Sequence, residues 1–98
     1  MDLVFDWDEN EARHNRNVHK ISFDETKTIF NDPFLISFPD EYHSEREERF
    51  ISIGTSSKNR IILVVHTEDA EDDAIVIRLI SARKATASER AVYEQKKE

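Results

Sequence analysis

Residues 61–67 read Ile-Ile-Leu-Val-Val-His-Thr, and residues 74–83 read Ala-Ile-Val-Ile-Arg-Leu-Ile-Ser-Ala-Arg. The first run opens on five consecutive apolar residues, which favours a central strand buried on both faces. The acidic turn 68–73 joins it to the second run, and a short polar turn joins it to a third predicted strand at 49–55. Because such short connections join consecutive strands as hairpins, the sequence predicts an antiparallel meander.

Predicted helices flank this block of strands. Three helix starts carry the Ser, Thr or Asp followed three residues later by Glu that is typical of a capping box: Asp8 with Glu11, Ser22 with Glu25, and Thr86 with Glu89. They predict helices over 9–18, from Ser22 to about Phe30, and after Thr86. Short apolar runs predict two further strands, at 3–7 and 34–38.

The predicted order β-α-α-β-β-β-β-α indicates an α+β fold, with two N-terminal helices, an antiparallel meander and one C-terminal helix. At 98 residues the chain is predicted to be one domain, residues 1–98. Hydrophobic residues make up 38% of it, so its core is small. We expect helices on one face of the sheet and a partly open second face that can present side chains to a ligand.

Composition excludes several classes of site. The chain has no Cys, which excludes a disulfide scaffold, a Cys-type zinc site and a thiol nucleophile. Its single glycine, Gly54, excludes glycine-rich phosphate loops. No apolar run approaches the ~18 residues of a membrane helix. The N-terminus shows no signal-peptide pattern. These features predict a soluble cytoplasmic protein.

The charge is unevenly distributed. The formal net charge is −7, but the segment from Arg78 onward has six basic and three acidic residues, so its net charge is +3 and that of residues 1–77 is −10. Five of the acids lie within residues 68–73. This balance opposes broad, non-specific nucleic-acid binding. It leaves room for a local basic site near the C-terminus, and it suits a basic protein partner.

Arg78 is the first candidate for chemistry, because it interrupts an apolar strand and shares a face with Val76 and Ile80. A charge there is costly unless it is paired or open to solvent. Either it pairs with an acid such as Glu68 across the hairpin, or it binds a phosphate on the open face. Strand alternation places Arg83 on the opposite face, so a bulge or the end of the strand would have to bring the two cations together.

Other candidates lie nearby. His66 and Glu68 share a face at the end of a strand, and an imidazole beside a carboxylate can exchange protons near neutral pH. The alternative is a structural histidine. Tyr93 on the last helix either donates a proton or packs the helix on the sheet. His14 and His19 are five residues apart, which is the wrong spacing for metal ligands on a helix. No metal site and no cofactor are predicted.

A series of short motifs runs in order through the chain: Trp7-Asp8, Asn15, Val18-His19-Lys20-Ile21-Ser22-Phe23, Phe30-Asn31-Asp32-Pro33, Glu48-Arg49-Phe50-Ile51-Ser52-Ile53-Gly54, Val64-Val65-His66-Thr67-Glu68, Arg78-Leu79-Ile80-Ser81-Ala82-Arg83-Lys84-Ala85 and Glu89-Arg90-Ala91-Val92-Tyr93. In order and spacing the chain resembles the BrnT family of toxins from bacterial type II toxin–antitoxin systems. The resemblance implies a RelE-like fold and metal-independent endoribonuclease activity. It also implies a BrnA-like antitoxin with a ribbon-helix-helix DNA-binding part, so that DNA is bound only through the complex.

Cleavage of RNA without a metal uses the neighbouring 2′-hydroxyl as nucleophile, and it needs a base, an acid and cations on the phosphate. On this reading Arg78 and Arg83 clamp the phosphate, and His66, oriented by Glu68, is the base or the acid. Tyr93 and His19 are candidates for the other proton transfer. Lys84 and Arg49 would bind the RNA backbone, and His19 also belongs to this RNA-binding group.

The competing hypothesis is an attenuated or non-catalytic interaction module whose acidic surface binds a basic partner. Glu11 and Asp69 stand where the family commonly has a basic residue, which moves charge away from RNA binding. The two hypotheses differ in geometry. The ribonuclease requires Arg78, Arg83 and His66 to converge on one exposed concave face. In the module, each can be paired separately with an acid.

Overall fold

A computed structural model describes residues 2–42 and 47–97. Its elements, in chain order, are β1 (Asp2–Asp6), α1 (Glu9–His19), α2 (Phe23–Thr26), a 3-10 helix (Lys27–Asn31), β2 (Ile36–Pro39), β3 (Arg49–Thr55), β4 (Ile61–Glu71), β5 (Ala74–Lys84) and α3 (Ala87–Lys97). The five strands form one sheet in the order β1-β5-β4-β3-β2. The α+β class and the central position of β4 are as predicted.

The sheet is mixed, so the prediction of a wholly antiparallel, RelE-like meander is only partly correct. Strands β2 to β5 do form an antiparallel meander. Strand β1, however, pairs in parallel with β5, from Asp2 opposite Ala74 to Asp6 opposite Arg78. This pairing joins residues about seventy positions apart in the sequence, and local hydrophobic alternation contains no information about such a distant partner.

The acidic segment 68–73 is mostly strand rather than turn. Strands β4 and β5 continue to Glu71 opposite Ala74, and only Asp72 and Asp73 form the turn. Asp72 has a φ of 52°, a left-handed conformation that Asp tolerates and that two-residue hairpins need. The predicted turn was too long because acidic residues favour loops. Here residues 68–73, called the acidic ribbon below, form the exposed tip of the β4–β5 hairpin.

All three predicted N-cap side chains accept from helix amides, including Thr86, whose hydroxyl accepts from the amide of Glu89. The Asp8 carboxylate accepts from the amides of Asn10 and Glu11, and the Ser22 hydroxyl accepts from the amide of Glu25. The first two capping boxes are incomplete. Among the described residues Glu11 makes no hydrogen bond to the Asp8 amide, and the Glu25 carboxylate binds Arg60 and Ser56 on the β3–β4 connection instead. The helix after Ser22 is also shorter than predicted, since it tightens to 3-10 geometry from Lys27.

Helices pack against both faces of the sheet, which corrects the expectation that they share one. The main core lies between one face and the segment that contains α1, α2 and the 3-10 helix; it includes Ala12, Phe23, Ile29, Val64 and Leu79. On the second face Tyr93 of α3 packs with Ile53 and Leu63. Helix α3 covers only part of that face, and the remainder is open.

Candidate functional site

A bulge in β5 decides which side chains share the open face. Val65 pairs with Ser81 but His66 pairs with Leu79, so Ile80 is an extra residue in β5. A bulge reverses the alternation of side chains beyond it. Arg78 and Arg83 therefore lie on the same face of the sheet. The sequence pattern predicts that the two cations can act together only if such a bulge, or the end of the strand, brings them together.

The open face forms a groove of about 620 Å³. Its apolar lining comes from the three central strands and the edge strand: Phe38, Ile51, Leu63, Val65, Ile80 and Ala82. Its polar lining comes from His19, Asp40, Arg49, Ser81, Arg83 and Glu89, with the ring of Tyr42 beside them. An apolar floor with cations on the rim suits a ligand that combines flat apolar surface with negative charge.

Arg83 lies on the rim where β5 meets α3. Its Nη1 and Nη2 donate to Oε1 and Oε2 of Glu89 at 2.7 and 2.9 Å. The hydrogen bonds to Arg83 lower the pKa of Glu89 to about 2, so this carboxylate is charged at neutral pH. The pKa of Arg83 is raised, chiefly by the same hydrogen bonds. The Arg83 side chain is still 40% exposed, so its guanidinium can reach a ligand in the groove.

His19 and Arg49 also line the groove. Arg49 opens β3 and lies opposite Thr67 of β4. His19 is placed by the end of α1, where Lys20 adopts a left-handed conformation (φ 59°). The helix itself is fixed by the buried Asn15, whose side chain exchanges hydrogen bonds with the N–H and C=O of Ala82 and donates to the carbonyl of Ile21.

His66 lies on the other face of the sheet, in the core, with 0% exposure. It packs between the rings of Phe30 and Phe50. Its Nε2 is 2.7 Å from the hydroxyl of Ser52 and its Nδ1 is 3.4 Å from the carbonyl oxygen of Thr67. Burial lowers the pKa of His66 to about 4. The imidazole is therefore neutral at pH 7 and has no access to the groove.

Glu68 does not orient His66 by a hydrogen bond, because its Oε1 lies 3.9 Å from Nδ1. Its side chain is 37% exposed at the start of the acidic ribbon. Lys84 is exposed at the end of β5, but it lies opposite Ile62 and so projects from the face opposite to Arg83. Neither residue lines the groove.

Arg78 is paired, but not with Glu68. Its Nη1 donates to Asp6 Oδ2 at 3.0 Å, and its Nη2 is 4.0 Å from Glu11 Oε1. The partner differs from the predicted one because β1 lies beside β5 in parallel and places Asp6 directly opposite Arg78. The ion-pair interpretation of Arg78 fits this placement better than the phosphate clamp.

Tyr93 is 1% exposed and anchors α3 to the sheet. Its hydroxyl donates to Asp32, and it also lies 2.9 Å from Thr55 Oγ1. Burial and the hydrogen bond to Asp32 raise the pKa of Tyr93, which disfavours the phenolate. The Asp32 carboxylate also accepts from the amides of Thr55 and Phe34, so a partly buried polar cluster links α3 to the end of β3 and to the segment before β2.

We expect Tyr93→Phe to lower the free energy of unfolding by about 1–2 kcal/mol, because it removes a donor from the charged Asp32 and leaves the ring in place. The RNA cleavage that the family resemblance implies should stay within about twofold of wild type in the folded variant, since Tyr93 lies beneath α3 rather than in the groove. A urea melt paired with a cleavage assay measures both. Loss of cleavage with unchanged stability would restore Tyr93 as a proton donor.

Three of the eight predicted site residues line the groove, namely Arg83, Arg49 and His19; Arg78, His66, Glu68, Tyr93 and Lys84 do not. Arg78, Arg83 and His66 thus fail to converge. The sequence pattern predicts Glu89 only as part of a helix cap, whereas in the structure Glu89 also binds Arg83. Within residues 2–42 and 47–97, no group of three or more potential ligand side chains is placed to hold a metal ion. None of the helices described has the length and apolar character to cross a membrane.

Comparisons with known proteins agree with this architecture. Residues 7–89 match the model of a family described as the ribonuclease toxin, BrnT, of type II toxin–antitoxin systems. Among solved structures, the chain is similar to the 1.1 Å crystal structure of the Brucella abortus ribonuclease toxin BrnT. The TM-score is 0.62, the identity is 20%, and the match covers 88% of this chain and 99% of that one. No curated protein matches.

The match to the family model takes in both groove cations on the strands, His19 at the end of α1, and Glu89. The chain therefore belongs to the BrnT family of ribonuclease toxins of type II toxin–antitoxin systems.

Proposed function

We propose that this protein is a metal-independent endoribonuclease that binds RNA in the groove and cleaves it by attack of a ribose 2′-hydroxyl on the neighbouring phosphate. The observation that carries the proposal is the position of Arg83, which stands on the rim of a concave, apolar-floored groove with its side chain 40% exposed. Guanidinium groups match phosphate geometry by two parallel hydrogen bonds.

Each part of the reaction has a candidate group in the groove. Arg83 stabilises the charge that develops on the phosphate, and Arg49 binds the adjoining backbone. His19 is the exposed imidazole of the groove, and imidazoles exchange protons with 2′-hydroxyl or 5′-oxygen groups near neutral pH. We assign proton transfer to His19 in place of His66, because His66 is enclosed by the core.

The remaining candidates receive supporting roles in this proposal. Arg78 holds β1 against β5, and Tyr93 holds α3 in place. His66 satisfies the buried hydroxyl of Ser52. Lys84 and Glu68 remain outside the groove, where Lys84 can contact RNA that extends beyond it.

We propose that the partner is a BrnA-like antitoxin with a ribbon-helix-helix DNA-binding domain. The acidic ribbon of β4 and β5, with exposed carboxylates from Glu68 to Asp73, suits a basic segment of such a protein. DNA binding would belong to the complex. The site of action is the cytoplasm, where the RNA is.

A second candidate is the attenuated, non-catalytic module. It is favoured by one observation: Arg78 is paired with Asp6 and Arg83 with Glu89, as a module would allow. In that case the groove would bind a partner and leave RNA intact.

The test is cleavage of a defined RNA by the purified protein in the presence of EDTA. We expect cleavage to persist and to leave a 2′,3′-cyclic phosphate. A single 2′-deoxy substitution on the 5′ side of the cleaved bond should block it, because it removes the nucleophile. Cleavage that requires added Mg²⁺ or tolerates the deoxy substitution would contradict the proposed chemistry, and intact RNA would favour the module.

A further inference from the structure

The pair between Arg83 and Glu89 uses one edge of the guanidinium. Arg carries five N–H donors: one on Nε and two on each Nη. The two terminal nitrogens donate to the two oxygens of Glu89, and Nη1 also donates to the carbonyl of Lys84 at 3.2 Å. These bonds hold the outer end of the guanidinium in one orientation.

The other edge of the Arg83 guanidinium is held in the same orientation, but its N–H groups donate to no described residue. Nε–H and the second hydrogen of Nη2 lie side by side on the long edge of the guanidinium. They meet no acceptor among the residues that the structure describes. Two parallel N–H groups are the geometry that binds two oxygens of a phosphate. The side chain is 40% exposed, so solvent and ligands have access to it.

Glu89 is itself held in place. Its Oε1 accepts from the amide of Thr86 at 2.8 Å, and its own amide is 3.3 Å from Thr86 Oγ1, which completes the capping box of α3. Helix α3 is in turn anchored to the sheet through Tyr93. If the carboxylate turned away from Arg83, it would lose its hydrogen bond to the Thr86 amide.

From this geometry we propose that Glu89 is a positioning residue for RNA cleavage: it fixes the terminal nitrogens of Arg83 so that the Nε–Nη2 edge is presented to the phosphate at the cleaved bond. The inference rests on the proposed function and adds a role for Glu89 within it. It also explains why Arg83 can be paired with an acid and still act on RNA. The ion pair and the phosphate use different edges of one guanidinium.

Four variants test this role with the EDTA-resistant cleavage assay, and binding of a 2′-O-methyl RNA of the same sequence is measured beside it. Glu89→Gln keeps an acceptor for Thr86 and removes the charged fork to Arg83. Thr86→Ala weakens the same helix cap without touching Arg83, and it is the matched control. Arg83→Lys keeps the charge and removes the fork, and the double variant Glu89→Gln/Arg83→Lys closes the cycle.

We expect Glu89→Gln to lower kcat about tenfold or more, since a small misplacement of a catalytic group is costly. Thr86→Ala should lower the melting temperature and leave cleavage unchanged. In the Arg83→Lys background, Glu89→Gln should change cleavage by less than about twofold, because Glu89 acts through the fork of Arg83.

Several results would overturn the inference. Faster cleavage or tighter RNA binding by Glu89→Gln would show that Glu89 competes with the phosphate. Equal losses in Glu89→Gln and Thr86→Ala would show that Glu89 acts only as a helix cap. Additive losses in the double variant would show that it does not act through Arg83. If wild type neither binds nor cleaves RNA, both the proposed function and this inference are wrong. If wild type is active and Glu89→Gln is unaffected, only this inference is wrong.

Discussion

Replacing Arg83 by Ala should lower the rate of RNA cleavage at least about 10²-fold, the usual loss when a donor that stabilises transition-state charge is removed. The protein should remain folded, because both partners of the Arg83–Glu89 pair are partly exposed and such pairs contribute little to stability. Glu89 then faces solvent rather than an apolar core. The measurement is kcat/KM on a defined RNA, with a thermal melt of the same preparation.

Two control variants make the result specific to Arg83. Arg90→Ala removes the same charge from an exposed position on α3 outside the groove, and cleavage should be unchanged. Arg78→Ala tests the other candidate for the phosphate clamp. We expect it to affect cleavage much less than Arg83→Ala, because its guanidinium is bound by Asp6 and lies outside the groove. If instead Arg78→Ala abolished cleavage in a folded protein, the phosphate site would have to be moved along β5.

The free energy of unfolding should fall by about 2 kcal/mol between pH 8 and pH 5, and by about 3 kcal/mol by pH 4, because of His66 alone. Burial holds the pKa of this histidine at about 4 when the protein is folded, against an ordinary value of 6.5. Below pH 6.5 His66 is protonated in the unfolded chain but stays neutral in the folded protein. Acid therefore favours unfolding. The contribution of neutral His66 to the free energy of unfolding is fully present above pH 6.5, and it is lost progressively as the pH falls towards 4.

The window between pH 8 and pH 5 isolates this effect. The carboxyl groups whose pKa is lowered in the folded protein, Glu25, Asp32 and Glu89, begin to destabilise it only nearer their ordinary pKa values, around 4 to 4.5. Urea melts across the window should show the slope in wild type and in His14→Gln, which removes an exposed histidine. The slope should be absent in His66→Gln. A flat profile in wild type, or the same slope in His66→Gln, would contradict the buried, neutral assignment of His66.

The local features of the fold could be predicted from the sequence, and the long-range ones could not. Strand β3 and the start of β4 have the predicted bounds, and the caps at Asp8, Ser22 and Thr86 are formed, because strand alternation and capping depend on neighbouring residues. The parallel pairing of β1 with β5 joins residues about seventy positions apart and depends on the whole chain.

The candidate site shows the same division. The sequence placed Arg78 and Arg83 on opposite faces unless a bulge intervened, and the extra residue Ile80 supplies that bulge. The residue type of Ile80 gives no indication of a bulge at this position. The residue type of His66 suits an acid or a base. Its side chain, however, lies on the core face of the sheet, where it is buried against Phe30 and Phe50. Glu89 could be read as a cap, while its second contact with Arg83 depends on how α3 turns back over the sheet.

We propose that this member of the BrnT family acts as a toxin because its groove cleaves RNA through Arg83. The most direct measurement is inducible expression in cells without antitoxin, with growth and total RNA integrity followed over time for wild type and Arg83→Ala at equal protein levels. We expect growth arrest with RNA fragmentation for wild type and neither for the variant. Unchanged growth with intact RNA at high expression of wild type, or equal fragmentation in both, would contradict it.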